Sequence, residues 1–499
     1  GKGKISIPFQ NDEELERILM PKLIKLSKDL NIPLIATNDS HYAFSHDADP
    51  HERILAVSTK SNMEELPFHK GGTRFAFSTP DYYIKSYDEM LQLYPEEVAE
   101  EALANTVELM NKCKDIKLDY DPHLRPEIEI PEGHSPATYL QELIHKGFLE
   151  KRGHESDEIK KESIKRIQEE FVVLHSNDFI SYFLVVHDYI SYAHSRNIGV
   201  GAGRGSVGGS EIAYVLDISN TDPIRFNLLF ERFLSPGRGS LYQIDYLDGN
   251  SEEIAVSSKK EVFSTEGSEV VYVHELNPGD LINSKNGRQV IKNIFVKVPG
   301  SAPDVDTDFH TEGREEVIQY CVDKYGEGNV ANIVTFGTFK AKRAFKAMAT
   351  VYNVPFAQAN VISNYIPSGQ GNEVSLLELT DESSHRYKEG EEFRRAIDSP
   401  LLTEVVEMAT ELDGRISETG VHPCGVIISN TPLSHVVPTQ VRQSDGKLVT
   451  QWEYPELEAL GLIKMDFLGL ELINTVQQAL ENIELTNESA KDQSEIREV

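Results

Sequence analysis

The sequence PDVDTDF at residues 303–309 places an aspartate at every second position. Successive side chains of a β-strand point to opposite faces, so Asp304, Asp306 and Asp308 share one face of the predicted strand. Carboxylates this close repel one another unless cations neutralise them, and oxygen ligands at this spacing suit Mg2+ or Mn2+. The string predicts a short strand with a divalent metal site; an acidic surface strand or a calcium-binding turn are the alternatives.

A chain of 499 residues with 39% hydrophobic residues is long enough for about three or four domains. No apolar run reaches the roughly 20 residues that span a bilayer, and the first residues lack the apolar core of a signal peptide. We therefore expect a cytoplasmic protein without a membrane partner. Cys113, Cys321 and Cys424 lie far apart without CxxC spacing, which predicts reduced thiols and neither disulfides nor a zinc knot.

The formal net charge of −32 argues against nonspecific coating of DNA, because bulk acidity repels phosphate. A nucleic-acid role therefore needs a local basic patch. Residues 336–346, FGTFKAKRAFK, supply four cations and three aromatic residues. The alternative is a helix with an ordinary solvated basic face.

Hydrophobic periodicity predicts a helix near residues 15–30 and a buried strand within 31–42 that ends in polar residues. Helical patterns follow at residues 87–114, 137–196 and from 329 to about 400. Prolines near residue 122 mark a first domain boundary near residue 120. The aromatic-rich stretch at residues 179–189 is expected to pack a core.

Residues 241–300 change to short β-branched runs separated by turn residues, which predicts a small all-β module. Its flanks are alike, Gly-Ser on both sides, as an insertion into an existing loop would leave them. The sequence ELNPGDLI at residues 275–282 is similar to a strand and turn of self-splicing elements. The terminal His-Asn pair that those elements need is absent before Ser301, so we expect a β insertion that does not splice.

A glycine-dense loop, GVGAGRGSVGGS at residues 199–210, leads into a predicted helix at Glu211. Backbone amides freed by glycine, together with the positive end of a helix, predict an anion site for a triphosphate or pyrophosphate. Arg204 and Ser206 add a cation and a hydroxyl. A flexible linker is the alternative.

The same loop permits a second functional hypothesis, a dinucleotide-binding enzyme. Gly203, Gly205 and Gly208 satisfy GxGxxG, and Asp222 stands about where an acid would bind a ribose hydroxyl. Near the end of the chain, Lys464 and Asp466 lie on one face of a predicted apolar strand. They could bind a phosphate and a metal ion, or they could form an ion pair with each other at the edge of a core. A phosphate loop, an acidic strand, a second strand with an aspartate and basic helices together fit two-metal nucleotidyl transfer.

Six ordered strings resemble the C family of bacterial replicative DNA polymerases, the alpha subunits of DNA polymerase III. They are GAGRGS at 201–206, LFERFL at 229–234, PDVDTDF at 303–309, TFGT at 335–338, GVHPCGVII at 420–428 and KMDFLG at 464–469. The resemblance implies DNA-templated addition of dNTPs to a primer 3′ end with two Mg2+ ions, or Mn2+ in their place. It also implies primer–template DNA as partner, with a sliding clamp and replisome subunits bound through regions that follow this chain.

The resemblance assigns roles residue by residue. It implies Asp304, Asp306 and Asp466 as catalytic metal ligands, with Asp308 as the least certain member of its motif. It implies that the nucleotide phosphates are bound by Gly205, Ser206, Arg232, Arg238 and Lys464. It implies that the DNA backbone is bound by Lys340, Lys342 and Arg343. Asp39 and His41, with His51 following, match metal ligands of a polymerase-and-histidinol-phosphatase (PHP) domain whose opening His-x-His motif is missing here.

The implied fold is a multidomain α/β protein with a palm like that of the DNA polymerase beta nucleotidyltransferases, a helical thumb, a partial PHP α/β domain and the small all-β insertion. The assigned ranges are 1–120 for the PHP part, 121–240, 301–335 and 421–480 for the palm, 241–300 for the insertion, 336–420 for the thumb and 481–499 for a tail toward missing fingers. A catalytically incomplete DNA-binding fragment is the remaining alternative.

Overall fold

A computed structural model describes residues 5–9, 13–118, 120–234, 240–264, 267–298, 303–369 and 373–496. The helices within these residues are α1 (Glu13–Leu30), α2 (Ala48–Thr59), α3 (Tyr87–Leu93), α4 (Glu96–Cys113), α5 (Pro136–Arg152), α6 (Asp157–Ser176), α7 (Ile180–Ser195), α8 (Glu211–Val215), α9 (Thr311–Tyr325), α10 (Ala341–Val351), α11 (Phe356–Asn364), α12 (Leu376–Thr380), α13 (Glu391–Ala396), α14 (Pro400–Leu412), α15 (Tyr454–Ala459) and α16 (Glu471–Ile496). The strands are β1 (Ile5–Phe9), β2 (Leu34–Asn38), β3 (Leu241–Tyr246), β4 (Ser251–Ala255), β5 (Lys259–Ser264), β6 (Gly267–Tyr272), β7 (Leu281–Ser284), β8 (Gly287–Val298), β9 (Asp306–Phe309), β10 (Val330–Thr338), β11 (Ile416–Ile428), β12 (Thr439–Val441), β13 (Leu448–Thr450) and β14 (Lys464–Gly469).

The chain divides into two compact units, one of Gly1–Lys117 with Phe336–Thr419 and one of Leu118–Thr335 with Gly420–Val499. This mixture of helices and sheets confirms the predicted multidomain α/β class. The first break lies close to the expected boundary near residue 120. The ranges predicted as PHP part and thumb fall together in the first unit, which the sequence did not indicate.

In the first unit, β1 and β2 pair in parallel, and helix α4 covers β2. Buried Val98, Ala99 and Ala102 form the inner face of α4. The predicted helix at residues 15–30 and the strand after it are present as α1 and β2. The helical pattern at 87–114 is interrupted, because α3 ends at Leu93 and Pro95, which has no backbone N–H, stands before α4.

Helices α10 to α14 form a separate core within the first unit. Helix α10 buries residues at helical spacing, among them Ala341, Phe345 and Met348, and so leaves its basic residues on the outer face. Phe345 meets Phe393 of α13 edge to face, with ring centroids 5.7 Å apart. The helical pattern predicted from residue 329 to about 400 is confirmed from Ala341 onward, but it is wrong at Val330–Thr338, which form strand β10.

The second unit is built around α7 and a mixed six-stranded sheet. Helix α7 is apolar on nearly all sides, and Phe183, Val186 and Tyr189 are almost fully buried, which confirms the predicted core. The sheet has the order β12-β13-β10-β11-β14-β9, so β9 lies at its edge. β14 is parallel to β9 and antiparallel to β11.

Strands β3 to β8 form a second six-stranded sheet in this unit, in the order β4-β3-β8-β7-β5-β6, and each recorded pairing is antiparallel. We call this sheet the β module. It has its own core around Tyr242, Ile244 and Ile282. The predicted all-β module is therefore confirmed, although β6 ends at Tyr272 and Val273–Glu275 form a single 3-10 turn instead of continuing the strand.

Among the described helices, none is long and apolar enough to cross a membrane. Cys113, Cys321 and Cys424 are all free thiols, as their spacing predicted.

Candidate metal centre and glycine loop

Strand β9 has the alternating faces that the sequence predicts. Val305, Thr307 and Phe309 are buried on one side, where Thr307 forms a 3.1 Å hydrogen bond with the hydroxyl of Tyr189. Asp304 lies in the segment just before the strand and is exposed. The apolar face fixes the strand against α7, and the acidic face is left for chemistry.

Asp466 reaches this acidic face from a second strand. β14 pairs with β9 so that Asp466 stands opposite Asp306, and residues opposite each other on neighbouring strands point to the same side of a sheet. Asp304, Asp306 and Asp466 each offer one carboxylate oxygen, and these oxygens all lie within 4.8 Å of one another. We call these three residues the carboxylate trio. The structure thus brings together all three predicted metal ligands.

The trio has acceptor capacity that no protein group uses. Asp466 is only 4% exposed; its Oδ2 lies 2.7 Å from Lys464 Nζ, whereas its Oδ1 is buried without a hydrogen bond. A buried carboxylate oxygen without a partner costs free energy. A hard divalent cation held by the three carboxylates supplies such a partner, so the residues present fit Mg2+ or Mn2+.

Burial and the neighbouring charges shift the pKa values of Asp304 and of Lys464. The pKa of Asp304 is raised, mainly because protein atoms around its carboxyl group desolvate it, although the residue as a whole is exposed. The positive charge of Lys464 opposes this shift, and the negative charge of Asp466 adds to it. The pKa of Lys464 is also raised, because its bond to Asp466 and the nearby carboxylates outweigh burial. A single lysine does not neutralise the site.

The glycine loop runs along the outer edge of β9. Val200 forms an antiparallel bridge with Phe309, Arg204 forms another with Asp306, and the Gly201 N–H donates to the Asp308 carbonyl at 2.8 Å. A Cβ atom at Gly201 would lie 2.8 Å from the Asp308 side chain, so this approach requires glycine. The loop predicted to bind phosphate therefore lies directly beside the predicted metal strand.

Arg204 is a site residue whose contact with the acidic strand the sequence did not indicate. Its guanidinium lies 3.5 Å from Asp306 and 3.9 Å from Asp308, and about half of its side chain is exposed. The charge of Arg204 opposes the desolvation that raises the pKa of Asp308. The only sequence signal was a cation inside a glycine loop, which does not say which residues it faces.

His422 is a second residue that sequence reasoning left without a role. Its Nδ1 accepts the N–H groups of Gly425 and Cys424, at 2.6 and 3.2 Å, on the strand next to β14. Burial lowers the pKa of His422, and the nearby charge of Asp466 offsets this in part. The motif containing His422 had been noted, but spacing alone did not connect it with Asp466.

The predicted helix end is not an open anion site, which corrects the sequence interpretation. Helix α8 is only five residues long. The carboxylate of Glu170 accepts the N–H groups of Glu211 and Ile212, at 2.8 and 3.0 Å, and the Ser210 hydroxyl at 2.7 Å. A protein carboxylate therefore occupies the position predicted for phosphate, and only the loop itself remains available.

Replacement of Glu170 by alanine is expected to lower the free energy of unfolding by about 2–4 kcal/mol, because it leaves two backbone N–H groups and one hydroxyl buried without an acceptor. Burial raises the pKa of Glu170 to about 7, although these three bonds partly oppose the shift. Urea denaturation measures the effect. Glu169→Ala, at the exposed neighbouring position, should change stability by less than about 0.5 kcal/mol; equal losses in both variants would contradict the capping role.

The dinucleotide hypothesis loses its acidic residue in the structure. Asp222 accepts two hydrogen bonds from Arg152, both at 2.8 Å, and the N–H groups of Ile224 and Arg225, both at 3.0 Å. These bonds, led by the one from Arg152, lower the pKa of Asp222 to about 2. The Asp222 carboxylate is therefore already hydrogen-bonded to other protein groups and is not available to bind a ribose hydroxyl.

The remaining predicted phosphate contacts lie at different distances from the trio. Gly205, with φ of 74°, adjoins Asp306, and Ser206 is half-buried in the same turn. Arg232 is exposed on a short turn that packs against the glycine loop through Leu229 and Gly209. Arg238 lies outside the described residues.

The predicted DNA-binding cations lie at the start of α10 in the first unit. Lys340 pairs with Glu373 at 2.7 Å, and Arg343 pairs with Glu418 at 2.9 Å. Both pairs are solvent-exposed, and exposed pairs contribute little free energy. Lys342 lines a cavity of about 400 Å3 next to this helix start.

The predicted PHP ligands Asp39 and His41 lie near each other, with His51 beside them. His41 Nδ1 lies 3.8 Å from the Asp39 carboxylate, and the ring centroids of His41 and His51 are 5.9 Å apart. Burial and the nearby His41 lower the pKa of His51. Within the described part of the chain, these residues do not belong to any group of three closely spaced ligands.

A mixed sheet that collects carboxylates from two parallel strands beside a glycine loop defines an α/β protein with a candidate divalent metal centre. Residues 138–273 and 293–469 match the family model described as the bacterial DNA polymerase III alpha NTPase domain. The chain belongs to this family, which confirms the resemblance drawn from its motifs. The match omits residues 274–292, which lie inside the β module. This omitted segment is shorter than the insertion predicted at 241–300.

Individual relatives agree with the family match. The chain is 33% identical to DNA polymerase III subunit alpha of Borreliella burgdorferi over 475 residues, which covers 95% of this chain and 34% of the relative. It is 34% identical to the Mycobacterium tuberculosis subunit over 474 residues, covering 94% and 34%, and 31% identical to that of Aquifex aeolicus over 477 residues, covering 91% and 35%. The chain thus spans about a third of the length of these curated relatives.

Proposed function

We propose that this chain carries the catalytic centre of a DNA-templated DNA polymerase, which adds dNTPs to a primer 3′ end in the cytoplasm of a bacterium or a phage-infected bacterium. The observation that supports the proposal most is the carboxylate trio, with Asp466 and Asp306 in register on parallel strands. The names of the relatives agree with it. In this assignment the mixed sheet is the palm, and α10 to α14 are the thumb.

The proposed chemistry divides between metal and protein. Asp304, Asp306 and Asp466 would hold divalent ions, two Mg2+ by the proposal, and the bound ions would supply the positive charge that activates a primer hydroxyl and neutralises the departing pyrophosphate. Lys464 keeps Asp466 oriented and adds positive charge beside the phosphates. Strand pairing of β9 with β14 holds Asp306 and Asp466 side by side before substrate arrives, so little reorganisation of these two residues is needed.

The triphosphate is proposed to lie between the trio and the glycine loop. Backbone N–H groups of the turn that begins at Gly205 suit phosphate oxygens, and Ser206 adds a hydroxyl. Arg204 is poised to leave Asp306 for a phosphate, because an exposed guanidinium 3.5 Å from its partner is weakly held. Arg232 and Arg238 are proposed as further phosphate contacts.

DNA binding is proposed for the outer face of α10. Lys340, Lys342 and Arg343 concentrate positive charge at one end of a helix in a chain whose net charge is −32. Such a local patch is what a strongly acidic protein needs to hold a phosphate backbone. We also propose that the protein binds a sliding clamp and replisome subunits, and that Asp39 and His41 bind a metal ion.

Primer extension tests the function directly. A labelled primer on a template should gain one nucleotide when the chain, Mg2+ and the complementary dNTP are present, and a change of template base should change the dNTP that is used. Retention of DNA without any incorporation would instead identify a catalytically incomplete DNA-binding fragment. Incorporation that ignores the template base would contradict the proposal.

Mg2+ affinity is expected to rise with pH over a range above the usual pKa of an aspartic acid, because the pKa of Asp304 is raised and only the ionised carboxylate binds the ion. Protons are therefore released on binding at the low end of this range. Calorimetry between pH 4.5 and 7 measures both effects. Asp304→Asn should weaken binding and flatten the dependence, whereas Asp398→Asn, at an exposed position in the first unit, should do neither.

A further inference from the structure

A second cluster of metal-ligating side chains lies outside the site described above. His175 ends helix α6, and His274 and Glu275 form the 3-10 turn that follows β6 in the β module. Each offers one ligand atom, and these atoms all lie within 4.8 Å of one another. All three residues belong to the second compact unit.

We propose that His175, His274 and Glu275 bind a zinc ion that fastens the β module to helix α6. Two imidazoles and one carboxylate form a ligand set that suits Zn2+ and related transition metals better than Mg2+, which prefers oxygen alone. Three protein ligands leave a fourth position for water. The site differs in chemistry from the all-carboxylate trio.

The distances match a tetrahedral ion. His175 Nε2 lies 3.7 Å from Glu275 Oε1. Two ligand atoms held at zinc–ligand lengths of about 2.0–2.1 Å with tetrahedral angles are about 3.3 Å apart. The His175–Glu275 separation is therefore close to that of two ligands on one zinc ion, and the atom of His274 lies within 4.8 Å of both.

The ligands are also oriented by their surroundings. Glu275 Oε2 accepts the Tyr272 N–H at 2.6 Å, which leaves Oε1 directed toward His175. The ring of Tyr272 packs edge to face on His175, at 4.9 Å, and parallel to His274, at 5.7 Å. Such supporting contacts fix metal ligands in proteins.

A ring nitrogen of His274 lacks a hydrogen-bond partner, which is a second observation in favour of a metal ligand. His274 Nδ1 is buried and has no hydrogen bond, although buried polar atoms are almost always paired. His274 also lines a cavity of about 310 Å3 between the β module and the segment around Asp121 and Asp178.

Zinc calorimetry with the full chain in excess Mg2+ tests the proposal, because Mg2+ occupies the oxygen-only trio. We expect a zinc-binding event whose affinity is reduced more than about tenfold in His274→Ala and in Glu275→Gln. His154→Ala, an exposed histidine near the start of α6, and His51→Ala, in the first unit, should bind zinc as the wild type does. Unchanged affinity in His274→Ala and Glu275→Gln, or loss in His51→Ala, would overturn the assignment.

A second readout separates a fastening role from adventitious binding. Zinc should slow amide hydrogen exchange at the end of α6 and in the 273–275 turn of the wild type, and not in Glu275→Gln. Glu275 is exposed, so this variant is expected to fold normally, which circular dichroism without metal verifies. Zinc binding without added protection at either segment would contradict the proposed fastening of the module.

Discussion

Asp306→Asn is expected to reduce template-directed nucleotide incorporation at least about a thousandfold, because it removes one negative charge from the centre of the carboxylate trio without changing the shape of the side chain. Asp306 stands opposite Asp466 in the sheet and beside Arg204, so both metal binding and placement of the loop depend on it. Single-nucleotide incorporation under single-turnover conditions measures the rate, and calorimetry should show a parallel loss of Mg2+ affinity.

Asp308→Asn provides the matched comparison. Asp308 lies on the same strand face but is not a member of the trio, and its partner is Arg204 at 3.9 Å. We expect a rate reduction smaller than about tenfold. Equal loss in the two variants would show that charge on the strand, and not the geometry of the trio, controls the reaction, and the assignment of Asp306 would then be wrong.

The largest effect on stability is expected at Arg152, behind the glycine loop. Arg152 is 1% exposed, and its guanidinium donates at 2.8 and 2.9 Å to Glu211, which is fully buried, and to Asp222. Arg152→Met leaves the Glu211 carboxylate buried without its cation, a change that typically costs about 3–5 kcal/mol. Chemical denaturation followed by fluorescence measures this loss.

Two further variants separate charge from packing. The double variant Arg152→Met with Glu211→Leu removes the fully buried ion pair and should recover a large part of the loss, because well-packed apolar groups often replace such a pair at little cost. Asp222, which is partly exposed, keeps the N–H groups of Ile224 and Arg225 as partners. Arg395→Met removes an exposed partner of Glu391 and should change stability by less than about 1 kcal/mol. A double variant as unstable as Arg152→Met alone would assign the effect to packing.

Much of the fold follows from local patterns. Helix α1, the apolar helix α7 and the β module all follow from the spacing of hydrophobic residues and from turn residues, which report on segments of a few consecutive residues. The exceptions are also physical. A proline divides the helix expected at 87–114, and residues 330–338, for which a helix was expected, form β10 because they pair within the mixed sheet.

The candidate site was only partly accessible from the sequence. Alternation identified the acidic face that carries Asp306, and the motif at Lys464 identified Asp466. Neither could show that Glu170 fills the helix end at Glu211, because that contact joins α6 to α8 through packing. The pairing of Arg152 with Asp222 was hidden for the same reason.

By itself, the sequence determined which residues share a strand face, where the backbone needs glycine and where an all-β segment begins, because each depends on neighbours along the chain. Only the tertiary structure decided that Asp466 stands opposite Asp306, that Arg204 faces the acidic strand and that His175 meets Glu275. These contacts join distant segments, and their choice depends on how the sheets and helices bury apolar surface together, which no local pattern encodes.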